Sequence, residues 1–358
     1  MTFKAALIGF GAIARHGHLP WYLNRPSVEL SAVVEPTPSG RAAARDLLPH
    51  VEVFASLKEL LQSQTLNLVD IAAPPAAHRE LILQAVAGGI HVICEKPFVR
   101  SLQELQHIEM LRQPGGPVIA ACHNWYFAPV IRRGLEFVAA GLIGEPNLIR
   151  FAAHRPQAAR GAEHWKPQWR QLASRGGGII ADLGYHGIYL ASRIFERPAV
   201  CVHANSVQMS ATLDGVENRA FVALDYGTGK RAELTLSWLS NVRETCLQVQ
   251  GSQGALIIQG DRLRLAVIGQ KEIEERFESL TTDSWHQAWI AHTLDRFLAD
   301  VQKGDQAAGW QDIAWSVSAL DAAYASIKSR APVTTRYQSP ASPFEASLLG
   351  LPAGLEAG

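Results

Sequence analysis

An apolar tetrapeptide, Ala5-Ala6-Leu7-Ile8, runs directly into Gly9-Phe10-Gly11-Ala12-Ile13-Ala14. A buried strand that ends on a glycine turn and reopens as a helix is the start of a βαβ unit, which commits the chain to a parallel sheet covered by helices. The spacing is G-x-G-x-x-A. Gly9 suits the tight turn, Gly11 lets the backbone approach a pyrophosphate, and Ala14 lets helix pack on strand, while the helix amino terminus attracts negative charge. Ala12 and Ile13 complete the cofactor-binding turn. Glu35 follows the second strand, Leu30 to Val34, about where a ribose-binding acid is expected, ~20 residues on. It would accept from both ribose hydroxyls and repel a 2′-phosphate, which favours NAD. Ser39 and Arg41 could instead grip that phosphate, so NADP stays open.

The alternation continues through the first third. Leu68 to Ala72, His91 to Cys94 and Val118 to Cys122 read as strands, and Leu57 to Ser63, His78 to Ala87 and Leu102 to Leu111 as helices. Open α/β sheets bind ligands at the carboxyl ends of their strands. Ala73-Pro74-Pro75 and Glu95-Lys96-Pro97 fall there, and both segments are expected at the cofactor crevice. Proline fixes φ and can take a cis bond, so Lys96-Pro97 can aim the lysine as an ordinary loop would not. His78 is expected either to contact ligand or to cap its helix.

From about Asn147 the rhythm changes. Leu148 to Ala152, Val200 to Val207, Arg219 to Asp225, Arg231 to Trp238, Cys246 to Gln250 and Ala255 to Gln259 read as strands. The segments 226–230 and 251–254 read as glycine-bearing hairpin turns. The fold class is therefore α/β plus α+β: a Rossmann dinucleotide-binding domain (1–123), an α+β substrate and oligomerisation domain on an open, mainly antiparallel sheet (124–335), and a tail (336–358). A helix over Trp285 to Val301 carries Trp285, Ala288, Trp289, Phe297 and Val301 on one stripe. The alternating Ala232, Leu234, Leu236 and Trp238 can serve a core on one side only. The other face is expected to be apolar and covered by a partner subunit, as in a homodimer or homotetramer.

Behind Arg175-Gly176-Gly177-Gly178 comes Ile179-Ile180-Ala181-Asp182-Leu183-Gly184-Tyr185-His186. On a helix Asp182 and His186 stand at i and i+4, on one face. A carboxylate and an imidazole are costly to bury there unless paired or used. Removing hydride from a carbinol carbon requires that the hydroxyl proton leave as well. Neutral His186 suits that transfer near pH 7, with a cationic Lys96 stabilising charge on oxygen. The two roles exchange if burial depresses the lysine pKa.

In this order the landmarks resemble the Gfo/Idh/MocA oxidoreductases, the family of glucose–fructose oxidoreductase and inositol dehydrogenase. The likeness covers Ala5 to about Val333. It rests on the glycine turn, Pro74-Pro75-x-x-His78, the segment 89–97 ending in Glu95-Lys96-Pro97, Trp169-Arg170, and Asp182-x-x-x-His186. The resemblance implies NAD(P)-dependent oxidation of a secondary hydroxyl on a sugar, sugar derivative or cyclitol. It places Lys96 beside nicotinamide and substrate, Asp182 on substrate hydroxyls or tuning its neighbour, and His186 exchanging the proton. It also implies substrate contacts from Asn124 and Tyr126, while Trp165, Trp169 and His164 either stack on a sugar or simply pack. Two positions depart from the family: Tyr126 stands where arginine is common, and Tyr189 where aspartate often follows the histidine. Competing readings are a family member that keeps its nucleotide bound for aldose–ketose exchange or glycosidic cleavage, and a nucleotide-sensing regulator. Retention of Lys96, Asp182 and His186 argues against the regulator.

Composition excludes other classes. Among 358 residues, 33 Lys and Arg balance 33 Asp and Glu, so nothing suggests nucleic acid or an anionic membrane. No apolar run reaches the ~18 residues of a spanning helix, and the amino terminus does not read as an export signal. A cytoplasmic protein is expected. The four cysteines are scattered through strand-like runs, reading as buried thiols rather than disulfides or a metal site.

Overall fold

The computed structural model describes residues 2–158, 169–207, 215–278, 280, 285–307 and 309–337. Trp165, His164 and all but the first two residues of the expected tail lie outside the described residues.

The first sheet is built from β1 (Phe3–Ile8), β2 (Val28–Val34), β3 (Glu52–Phe54), β4 (Leu68–Ile71), β5 (His91–Cys94) and β6 (Ile119–Ala121). They run parallel in the order β3-β2-β1-β4-β5-β6. Such a sheet is buried on both faces, so its strands read as continuous apolar runs; Leu7, Val33, Val69, Val92 and Ile93 have no exposed surface. The order reverses between β1 and β4. Open α/β sheets bind ligands at such a reversal, outside the carboxyl ends of the strands, here where Gly9 follows β1 and Ala72–Ala73 follow β4.

The second sheet contains β7 (Pro146–His154), β8 (Cys201–Val207), β9 (Arg219–Asp225), β10 (Arg231–Ser237), β11 (Glu244–Gly251), β12 (Gly254–Gln259), β13 (Arg262–Val267), β14 (Ile273–Arg276) and β15 (Val333–Thr334). Their order is β14-β13-β12-β11-β7-β10-β9-β8-β15, and the pairings are antiparallel except β7 with β10. The hairpin turns stand where expected, with Gly227, Thr228 and Gly229 all at positive φ between β9 and β10.

One face of this sheet forms a core. Phe151, Val222, Leu224, Ala232, Leu234 and Leu236 pack with Tyr185, Ile188 and Tyr189 from the helix Tyr185–Phe195 and with Ala319 and Leu320 from the helix Trp310–Ser329. Each such burial of a large aliphatic side chain is worth about 1.5–3 kcal/mol. The opposite face is not the apolar surface expected. It carries exposed Arg219, Arg231 and Thr235 and the Arg150–Glu233 ion pair (3.2 Å), with Phe221 and Val207 as its exposed apolar residues. Alternation in β10 satisfies the core alone, which is why its other positions are polar.

The helix Gln287–Lys303 leaves the second sheet and packs on the first. Its Ile290, Leu294, Phe297, Leu298 and Val301 cluster with Ala5, Trp21, Leu68, Ile93 and Val118. Ala288, placed on the buried stripe by periodicity, is exposed. The helix starts at Gln287 rather than Trp285 because His286 adopts φ 51°, ψ 43°. No helix among the described residues is long and apolar enough to cross a membrane.

Candidate active site

The glycine turn is built for close approach. Gly9 has φ +93°, and a Cβ there would lie 2.7 Å from the Ala72 carbonyl oxygen, so only glycine fits. A Cβ on Gly11 would meet nothing within 4 Å. Gly11 therefore faces open space at the start of the helical segment, the cradle a pyrophosphate requires, and the residues present fit a dinucleotide. Ala14 is fully buried, while Ala12 and Ile13 are partly exposed. The segment Ala14–His18 is a π-helical turn rather than α-helix, continued by Leu19–Leu23. Such turns are frequent at functional sites.

Glu35 is buried at the end of β2. Its Oε2 accepts from Phe10 N (3.0 Å), and its Oε1 accepts from Thr37 N (2.9 Å) and Thr37 Oγ1 (2.6 Å). The carboxylate thus braces the glycine turn. Arg41 folds back to donate to the carbonyls of Glu35 (3.0 Å) and Pro36 (2.8 Å), and Ser39 is exposed at the start of the helix Pro38–Leu47.

Ala73, Pro74 and Pro75 form the rim across the crevice, with Pro75 opening the helix Pro75–Ala87. His78 neither caps that helix nor faces solvent. It is fully buried, with Nδ1 at 3.0 Å from Pro97 O and 3.1 Å from Phe98 O, and Nε2 at 2.8 Å from Ala73 O. It ties the Ala73 loop to the loop behind Lys96.

That loop follows β5, and its Lys96–Pro97 bond is cis. Beneath it lies a buried polar cluster that sequence reading missed. His18 stands between Asp70 on β4 (Nδ1 to Oδ2, 2.8 Å) and Glu95 (Nε2 to Oε1, 3.1 Å), and Tyr22 donates to Asp70 at 3.1 Å. Glu95 also accepts from Lys96 N at 2.9 Å. Burial pulls the His18 pKa down, but the two carboxylates outweigh it and lift it to about 10, making His18 an imidazolium. Cys122 brings its sulfur within 4.8 Å of the facing His18 and Glu95 atoms, yet both imidazole nitrogens are already engaged by carboxylates. Part of the signal was available: Asp70 is a charged residue inside the apolar strand Leu68–Ile71.

Lys96 emerges from this platform toward the second half of the chain. Its Nζ donates to Asp182 O (2.7 Å) and Oδ1 (3.2 Å), and Arg170 Nε donates to the same Oδ1 at 2.9 Å. Burial raises the Asp182 pKa, but Arg170 and Lys96 dominate and hold it down at about 2. Asp182 is thus a buried carboxylate between two cations. Arg170 was noted only as part of a motif; its guanidinium also lies over the Trp169 ring at 4.6 Å. Trp169 itself is partly buried.

The segment Ile180–Gly184 is also a π-helical turn, so Asp182 and His186 belong to two helix types rather than one regular α-helix. Glu217 holds this turn, accepting from Ile180 N (2.9 Å) and Tyr324 Oη (3.1 Å). Gly178 leaves it room, since a Cβ there would lie 2.5 Å from both carboxylate oxygens. Burial lifts the Glu217 pKa from 4.5 to about 7, so the fold prefers the protonated acid. Its stabilising contribution is therefore full below about pH 4.5 and is lost as pH rises through about 7. Glu217→Gln is expected to flatten this loss. In a comparison of Tm against pH, the variant should fall less than wild type between those values, and an identical pair of curves would contradict the assignment.

His186 is buried and stacks on Trp125, with ring centroids 4.4 Å apart and planes at 17°. Burial lowers its pKa well below the ordinary value, reinforced by nearby Lys96, His286, His123 and Arg155. Burial likewise brings His123, stacked on Tyr189 at 4.3 Å, down to about 3. Asn124 is buried with its Oδ1 unpartnered among the described residues. Tyr126 packs edge-on against His123 (5.8 Å) and Tyr189 (4.9 Å), and its hydroxyl shares its one proton between Tyr189 O (3.1 Å) and Asp312 Oδ2 (3.2 Å). Trp125, and not Tyr126, lays its ring on His186.

Family models match both halves of the chain, as "Oxidoreductase family, NAD-binding Rossmann fold" over residues 3–120 and "GFO/IDH/MocA C-terminal domain" over 131–257. The chain belongs to the GFO/IDH/MocA family. An uncharacterized oxidoreductase of Schizosaccharomyces pombe is 31% identical over 197 residues, 54% of this chain and 52% of that protein. The chain thus spans about half the length of this relative. The D-glucoside 3-dehydrogenase of Escherichia coli is 26% identical over 84% of this chain and 91% of its own. Among solved structures, a levoglucosan dehydrogenase in complex with NADH and levoglucosan superimposes with TM-score 0.81 at 15% identity, covering 94% of this chain and 100% of that one. An oxidoreductase from Agrobacterium radiobacter, in complex with NAD+, L-tartaric acid and magnesium, gives TM-score 0.82 at 20% identity, covering 93% and 98%. These last likenesses are of fold. The GFO/IDH/MocA fold carries a dinucleotide-binding domain, as the glycine turn requires.

Proposed function

We propose that the protein is an NAD(P)-dependent oxidoreductase that interconverts a secondary hydroxyl and a carbonyl on a sugar, sugar derivative or cyclitol. The observation that carries this reading is the Lys96–Asp182 contact. It brings a cation from the edge of the dinucleotide-binding sheet onto the helical turn that leads into His186. The relative named as a D-glucoside 3-dehydrogenase supports a sugar-like substrate.

When bound, the nicotinamide supplies the hydride acceptor or donor. The chain supplies the rest. Asp182, held anionic between Arg170 and Lys96, fixes the lysine nitrogen. Trp125 covers one face of His186, and the neighbouring Asn124 keeps a buried amide oxygen without a partner among the described residues, suited to a substrate hydroxyl. Burial of this cluster excludes water and strengthens each hydrogen bond made to the reacting oxygen. A panel of sugars, cyclitols and their keto forms, followed by reduced-nicotinamide absorbance, tests the reading.

Glu35 sets a preference for NAD by engaging the ribose and repelling a 2′-phosphate. Glu35→Ala is expected to weaken NAD more than NADP in a fluorescence titration. Equal or tighter binding of NADP by wild type would contradict this and point to Ser39 and Arg41.

The outward face of the second sheet, with Phe221 and Val207 exposed among ion pairs, forms the contact of a homodimer or homotetramer. Light scattering should give a mass of at least twice the 39.0 kDa chain. A monodisperse monomer at working concentration would contradict it.

A further inference from the structure

Tyr189 stands one turn after His186, and its ring is fully buried. Its hydroxyl oxygen accepts from the Trp125 backbone N–H at 3.2 Å and lies 2.8 Å from His186 Nδ1. A phenol has one proton to donate, and a buried donor needs an acceptor. Among the described residues the acceptor within reach is His186 Nδ1. A ring nitrogen that accepts carries no proton, so the proton of the neutral imidazole resides on Nε2. A carboxylate at this place would do the reverse, drawing the proton to Nδ1 and leaving Nε2 free as a base. The ring is held in place by the Trp125 stack and by the edge of Tyr189, whose centroid is 5.5 Å away at 76°. Nε2 has no hydrogen-bond partner among the described residues. Burial favours the neutral form of the ring, reinforced by Lys96, His286, His123 and Arg155.

We propose that Tyr189 fixes His186 in the Nε2–H tautomer, so that His186 meets the reacting oxygen as a neutral hydrogen-bond donor rather than as the carrier of that oxygen's proton. This rests on the reading of the site given under the proposed function. A neutral N–H aimed at an oxygen that gains negative charge stabilises that charge without itself ionising. Proton exchange then falls to Lys96. Two of its Nζ positions are engaged by Asp182, which leaves one for the substrate. In reduction the hydride pair comes from the nicotinamide and the Lys96 ammonium passes its remaining proton to the carbonyl oxygen, leaving an amine still held by Asp182; oxidation reverses both transfers. Tyr189 is a positioning residue: it acts through His186.

The test is a long-range proton–nitrogen correlation spectrum of the full chain labelled with ¹⁵N-histidine, with the His186 signals assigned by their loss in His186→Gln. The expected result is a protonated Nε2 and an unprotonated, hydrogen-bonded Nδ1, with that preference weakened or reversed in Tyr189→Phe. A wild-type His186 protonated at Nδ1 overturns the proposal, whatever the activity of the protein. The kinetic arm compares two variants. Glutamine can accept from Tyr189 through its amide oxygen and donate through its NH2, but it cannot carry a proton. His186→Gln should lose no more than ~10-fold in turnover, whereas His186→Ala should lose ~10²–10³, the usual worth of one positioned donor. A glutamine variant as impaired as alanine overturns the donor role. Absence of turnover in wild type with every sugar would instead defeat the functional reading and leave the tautomer measurement standing.

Discussion

Lys96→Ala is expected to lower turnover by ~10²–10⁴, the usual worth of a positioned proton-transfer group. The loss should fall on kcat while dinucleotide affinity stays nearly unchanged, because the phosphates belong on the Gly9–Ala14 turn and not at the carboxyl end of β5. The fold tolerates the change. Removing the ammonium leaves Asp182 with Arg170 at 2.9 Å, so the buried carboxylate keeps a cation. Turnover by Lys96→Ala within a few-fold of wild type would exclude Lys96 from the chemistry. A parallel drop in dinucleotide affinity would instead mean that the loop, and not the reacting group, had been lost.

His18→Ala should be the most destabilising single change in the dinucleotide-binding half. It leaves Asp70 and Glu95 facing each other across a dry space, and breaking a buried ion pair from one side costs about 3–5 kcal/mol. Asp70 has no exposed surface at all, and its Oδ1 is already without a partner among the described residues. The sign of the pH dependence follows from the raised His18 pKa. The stabilisation is complete below about pH 6.5 and is lost as pH rises through about 10. Chemical denaturation of wild type should therefore show stability declining across that interval, and His18→Ala should be less stable at neutral pH and lack that decline. A variant within ~1 kcal/mol of wild type would show that the imidazolium is not the link between the glycine turn and the Lys96 loop. The expected structural consequence is specific: Glu95 holds Lys96 N, so loss of His18 loosens the very loop that aims the lysine.

What could be read from the sequence follows from how locally each feature is specified. The strands β1, β2, β4, β5 and β6 announce themselves because a parallel sheet buries both faces and leaves continuous apolar runs. β3 (Glu52–Phe54) escapes that rule because it is a short edge strand with no buried residue. β13, with Arg262 and Arg264 alternating with buried Leu263 and Leu265, follows the period-2 pattern plainly but was not picked out. The helix Trp310–Ser329 is buried on nearly every side, so it lacks the amphipathic stripe that marks a surface helix. Within the candidate site, residue type and spacing single out Lys96, Asp182 and His186, and the structure sets Lys96 against Asp182. Arg170 and Trp125 are not singled out, because their roles arise only when a loop closes over Asp182 and a short turn lays an indole on an imidazole. His78 and Tyr126 show the converse. Their residue types suggest ligand contacts, yet both side chains are engaged inside the protein.

We propose one redox site formed by Lys96, Asp182 and His186 on the dinucleotide-binding fold. It is tested most directly by following reduced-nicotinamide absorbance while wild type and Lys96→Ala are offered the same panel of sugars, cyclitols and keto sugars. Wild type is expected to turn over at least one polyol–carbonyl pair, with the variant slower by ~10²–10⁴ although it still binds the dinucleotide. Equal turnover by the two proteins, or a wild type that binds the dinucleotide yet moves no hydride in either direction across the panel, would contradict it.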